Sequence, residues 1–142
     1  MREILFRGKR IDSKEWVDGF YYKDATTGRS FIITWEDGKD HGCLTIEEFR
    51  EVIPETVGQF TGMAANGKEI FEGDVVVAEL KSGTYQGFSW GKQKVVFWRG
   101  AFCLESRTGE KTPLGSYSPA VLFKVIGNIH DNQELLEVDD VH

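Results

Sequence analysis

Along most of this chain apolar residues recur at every second position, seldom at every third or fourth, and a period of two belongs to extended strands. Residues 3–9 place Ile4 and Phe6 on one side of a first strand. Residues 16–22 alternate as a second, interrupted by Gly19, and residues 31–35 as a third, with Phe31, Ile33 and Trp35 on a common face. A polar cluster at 24–28 turns the second into the third, so the three predict an antiparallel meander closed by the loop 37–42. Thr45-Ile46-Glu47-Glu48 then matches a capping box, and Ile46, Phe49 and Val52 or Ile53 follow at helical spacing. That pattern predicts a short helix ended by Pro54, although residues 50–53 also allow a strand.

The stretch 58–80 organises the second half. Asn66-Gly67 is a strong turn signal, because both residues tolerate positive φ. Glu72-Gly73-Asp74 turns the chain again, directly before the β-branched run Val75-Val76-Val77. Two tight turns leading into such a run predict the start of a small barrel or sandwich. Residues 81–93 read as a long open loop, 94–98 as a strand, and Arg99-Gly100 as a two-residue hairpin into a strand at 101–105. A loop over 108–119 leads to a last strand at 120–126, broken by Gly127-Asn128. Asp131, with Glu134 three residues on, predicts a short helix over 131–137 and an acidic, frayed tail beyond Val138.

Composition narrows the class. A chain of 142 residues suits one domain or two small ones. The net charge of −6 is spread along it, which disfavours a nucleic-acid binder. Arg2, Arg7, Lys9, Arg10 and Lys14 are the sole basic concentration; Glu3, Asp12 and Glu15 dilute it, and it reads as the solvated side of an edge strand. The opening residues lack the apolar run of a signal peptide, and no window is long enough to cross a membrane. Cys43 and Cys103 lack metal-type spacing and read as reduced thiols of a cytoplasmic protein.

Candidate chemistry is sparse. Asp74, Glu79 and Lys81 resemble the carboxylate–carboxylate–lysine set of metal-dependent nucleases, but Asp74 and Glu79 share one strand, and exposed charges at a strand end are the plainer reading. Glu69, Glu72 and Asp74 cluster around glycines, where carboxylates serve turn amides more often than acid–base chemistry. His41 and Cys43 make half a zinc site, completed only if Cys103 and His130 converge. No Ser-His-Asp spacing, P-loop or dinucleotide fingerprint is present. Tyr85, Phe88 and Trp90, with Trp98 and Arg99 at the adjacent hairpin, form the candidate partner-binding surface. Such rings either line a groove for peptides or bases, or fold back as a cluster or a subunit contact.

Three blocks carry a resemblance. Met1-Arg2-Glu3-Ile4 with Phe6-Arg7-Gly8-Lys9 is similar to the opening of the YopX family of phage and prophage proteins. The central block, residues 55–62 followed by Asn66-Gly67-Lys68-Glu69-Ile70-Phe71-Glu72-Gly73-Asp74-Val75-Val76, resembles its signature. Val125-Ile126-Gly127-Asn128-Ile129-His130-Asp131-Asn132 with Glu134-Leu135-Leu136 resembles its ending. Met63-Ala64-Ala65 is about a residue short of the usual connector, and Gln133 stands where proline is frequent; both touch turn details. The resemblance implies an N-terminal antiparallel β-rich part (1–54) followed by a C-terminal SH3-like β-barrel with short helices (55–142). It also implies frequent oligomers, and it brings no established activity.

The chain therefore reads as a mainly β, non-enzymatic, cytoplasmic, phage-encoded protein that needs no cofactor or metal. It works by binding, through self-association into a homo-oligomer or a host or phage protein partner. The alternative is a single-stranded nucleic-acid binder or metal-dependent nuclease using Asp74, Glu79 and Lys81.

Overall fold

The computed structural model describes residues 3–37, 44–80 and 89–136. It divides into two compact units, Met1–Phe60 and Thr61–His142. Both are built from antiparallel strands, as the period-two pattern predicts.

In the first unit, β1 (Phe6–Lys9), β2 (Trp16–Lys23), β3 (Ser30–Asp37) and β4 (Leu44–Val52) form a meander. The start of β5 (Gly58–Ala65) lies along the other side of β1, with Gln59 opposite Phe6. β1 is thus an interior strand, and its basic residues do not mark an edge. β2 serves two neighbours in succession: Trp16 to Gly19 pair with β1, and Phe20 to Lys23 pair with β3. Gly19 stands at the handover, where a Cβ would collide with the Ile33 carbonyl oxygen. The covered face of this sheet carries Ser30, Ile32 and Val52, all buried.

The residues predicted as a capped helix are β4. It pairs with β3 from Ser30 opposite Val52 to Asp37 opposite Leu44. A helix there would leave the outer edge of β3 with unpaired backbone groups, and a capping box, worth about 1 kcal/mol, does not offset a whole ladder. The ends of the meander are then laced together. Ile11 N–H donates to the Glu51 carbonyl (3.1 Å), and Ile53 N–H donates to the Lys9 carbonyl (2.8 Å). Thr56, in the short 3-10 turn Pro54–Thr56, is buried and completes the seam. Its hydroxyl accepts from Lys9 N–H (2.9 Å) and donates to the Ile53 carbonyl (2.6 Å).

In the second unit, the remainder of β5 and β6 (Lys68–Phe71) are joined through Asn66 and Gly67, at φ 51° and 80°. A five-stranded sheet follows, in the order β10 (Lys111–Pro113), β9 (Ala101–Glu105), β8 (Ser89–Trp98), β7 (Asp74–Leu80), β11 (Val121–Asn128). Among the described residues this sheet is open, with β10 and β11 at the two ends of the order, so the SH3-like barrel expected from the resemblance is not closed. β10 is three residues long, and its Pro113 offers no N–H for a further partner. Ile70, Val76, Ala78, Val95, Leu104, Leu114 and Val121 form the core. Arg99 and Gly100, at φ 50° and 80°, make the predicted two-residue hairpin.

β8 begins at Ser89, so part of the predicted 81–93 loop is strand; residues 81–88 lie outside the described residues. The predicted C-terminal helix is a single 3-10 turn, Gln133–Leu136. The bend ahead of it is held by Asn128, whose Oδ1 accepts from the N–H groups of His130 and Asp131, each at 2.9 Å, and Leu135 N–H donates to the Asn132 carbonyl (2.9 Å).

Candidate functional site

Direct cross-strand partners share a face of a sheet. In the first unit Phe20 lies opposite Ile33, Tyr22 opposite Phe31, Ile33 opposite Phe49, and Phe31 opposite Glu51. These side chains therefore stand together on the face away from Ile32 and Val52. Tyr22, Phe31 and Phe49 form a mutual triangle with each pair of ring centroids 6.2 Å apart. Phe20 and Tyr22 are 45% exposed and Phe49 is 54% exposed, so the rings are ordered by one another without being covered.

Charges of both signs frame this aromatic platform. The Arg29 guanidinium lies over the Phe31 ring (5.3 Å) and binds both carboxylate oxygens of Glu51, at 2.6 and 3.1 Å. That pairing holds the Glu51 carboxyl below its usual range. Toward β1, Arg7 sits 4.7 Å above the Trp16 ring and Lys9 5.9 Å from it. Asp18 lies opposite Arg7, and desolvation beside the sheet pushes its carboxyl up against the pull of the guanidinium. Beside Phe49 lies a cleft of about 260 Å³ lined by Ile11, Asp12 and Arg50 among others.

The residues singled out in the sequence are separated by the fold. Trp90 packs edge-on against Tyr117 (5.6 Å), which packs edge-on against Phe123 (5.3 Å), a ladder against the core of the second unit. Burial there pushes the Tyr117 phenol up, against hydrogen bonds to Thr112 and Gln93. Trp98 stands on the opposite face of β8, with Arg99 4.7 Å and Lys111 5.1 Å from its ring. Trp90 and Trp98 therefore do not share a surface. Tyr85 and Phe88 lie outside the described residues, as do Lys81, His41 and Cys43.

The carboxylates do not gather either. Asp74 is buried, and its Oδ2 accepts from Phe71 N–H at 2.8 Å, so it serves the turn. Glu79 lies on the other face of β7, opposite Leu122. Among the described residues no group of three His, Cys, Asp or Glu could hold a metal ion. Cys103 is a buried thiol. Among the described residues no helix is long and apolar enough to cross a membrane.

The aromatic platform was not visible as a site in the sequence. Alternation shows which side chains share a face, and the even positions from Trp16 to Tyr22 do; it does not show which face becomes covered.

Comparison with known proteins fixes the relationship. The family model described as YopX protein matches residues 5–137. The chain belongs to the YopX family. Its fold is similar to the crystal structure of protein EF1440 from Enterococcus faecalis, with a TM-score of 0.59 and 23% identity, covering 96% of this chain and 100% of that one. It is also similar to the crystal structure of YopX from Bacillus subtilis, with a TM-score of 0.54 and 18% identity over the same shares of the two chains. At such identities the YopX likeness speaks for the fold alone. No curated protein matches the chain.

Proposed function

We propose that this YopX-family protein is a non-catalytic module that works by self-association inside the bacterial host, and that the aromatic platform of its first unit is where copies meet. The phage and prophage setting and the frequent oligomers implied by the family resemblance support the reading. The observation that carries it is the exposure of Phe20, Tyr22 and Phe49 on one sheet face. Aromatic rings of this kind supply large apolar contact area at little entropic cost, and they dominate the energetics of interfaces.

The charges point to a second copy as the occupant. A two-fold interface uses the same patch twice, so it must complement itself. Arg7, Lys9 and Asp18 toward β1, and Glu51 with Arg29 beside Phe31, supply both signs within one face. The cleft beside Phe49 adds a concavity next to a protruding ring.

Light scattering on the full chain tests this. The expected mass is at least twice the 16.1 kDa of one chain. Phe20→Ser combined with Phe49→Ser should weaken association by about thirtyfold or more, as for central interface aromatics. A monomeric wild-type protein at micromolar concentration, or a double variant that assembles like the wild type, would sink the proposal.

A further inference from the structure

The net charge of −6 disfavours an anionic partner, yet strand pairing in the second unit gathers cations that are scattered in sequence. Along β8, Lys92, Lys94, Val96 and Trp98 alternate, about 7 Å apart, onto the face away from Val95, a face that also carries the buried Val75 opposite Lys94 and the buried Cys103 opposite Val96. Lys124 of β11 and Lys92 of β8 both lie opposite Val77, which sets their Cα atoms about 10 Å apart on that face. One row further, Lys94 lies opposite Glu105, and Glu105 opposite Lys111.

Glu79, two residues beyond Val77 on the same face of β7, and Glu105 offset two of these four lysines, which leaves positive charge over. Glu105 is shared by two ammonium groups, Lys94 at 3.3 Å and Lys111 at 3.0 Å. Lys92 and Lys124 have no carboxylate partner among the described residues. At the far end Arg99 lies on Trp98, which is 41% exposed. Beside Lys94 opens a cleft of about 280 Å³ whose lining includes Ser106 and Arg107. The result is a set of four lysines spread over three strands of one face, two of them on β8, with an indole and a guanidinium at the far end of β8.

We infer that this outer face of the second unit binds a single-stranded nucleic acid. Cations spaced about 7–10 Å apart on one face fit the phosphates of a strand, and a planar Trp98–Arg99 pair beside them offers a stacking surface for a base. Inorganic polyphosphate would engage the lysines but has no base to stack. The face lies within the second unit and is independent of the aromatic platform of the first.

The test is fluorescence anisotropy of a labelled oligothymidylate of about twenty nucleotides with the full chain. The wild type should bind at low salt and weaken as salt rises. Lys92→Gln with Lys124→Gln, both away from the core, should reduce the log–log salt slope by about 1.4, that expected for two lost phosphate contacts on a single strand. Glu105→Gln releases Lys94 and Lys111 and should tighten binding. Trp98→Ala should weaken the oligonucleotide about tenfold while leaving competition by inorganic polyphosphate unchanged. No binding by the wild type, a lysine variant with unaltered affinity at unchanged melting temperature, or a Trp98 variant that binds the oligonucleotide like the wild type would overturn the inference.

Discussion

Gly19 sits where β2 leaves β1 and takes up β3, and its missing side chain is what lets the two ladders meet. A Cβ there would strike the Ile33 carbonyl oxygen and come within 3.0 Å of the Ile32 side chain. The obstacle is backbone and cannot rotate away. Gly19→Ala should therefore destabilise the protein by about 2 kcal/mol or more, read as a lower urea midpoint. Glu105 offers a test of charge at the same scale. The hydrogen bond from Lys111, and then Lys94, hold its carboxyl below the usual range despite its partial burial. A depressed carboxylate stabilises the fold fully above its unfolded pKa, and that contribution is lost as pH falls through the folded value. Urea midpoints measured from about pH 5 downward should fall less steeply for Glu105→Gln than for the wild type. An identical acid limb would show that the pair does not couple to folding.

At the scale of elements, what the chain announced and what it concealed have different physical origins. The strands around Phe6, Val17, Ile32, Val76 and Phe102, and the Arg99-Gly100 turn, were legible because alternation and positive φ are local properties. β4 was not, since Thr45 and Glu48 satisfy a local helix signal and only the bare edge of β3 decides against it. The seam between β1 and β4 was equally hidden, being formed by Lys9, Arg10 and Ile11 meeting Glu51, Val52 and Ile53 far along the chain. Thr56 is the point where that seam can be probed. Thr56→Val keeps the volume but removes the acceptor for Lys9 N–H and the donor to the Ile53 carbonyl. A loss of about 1–3 kcal/mol in denaturant unfolding is expected. A neutral result would mean that water or a relaxed backbone replaces both bonds.

Across the molecule, each unit carries a sheet face with its own chemistry. The first unit carries exposed rings with charges of both signs, suited to meeting its own kind. The second carries a set of cations that only strand register brings together: Lys92 and Lys94 are close in sequence, but Lys111 and Lys124 are not. Net charge does not register such a grouping. An average over 142 residues is blind to a face. The candidate site was harder to read than the fold for the same reason, since Trp90 and Trp98 are near neighbours in the chain yet point to opposite sides of β8.

The pairing of β11 with β7 also governs the order in which the protein can be made. β7, with Val75 and Val76 fully buried in the finished molecule, must wait for the last strand before its second row of backbone groups is satisfied. Until Val121–Asn128 has left the ribosome, a sticky valine-rich margin is on offer to any other unfinished chain nearby. Production of this protein is thus most exposed to clumping during synthesis, and least so once the final strand has docked.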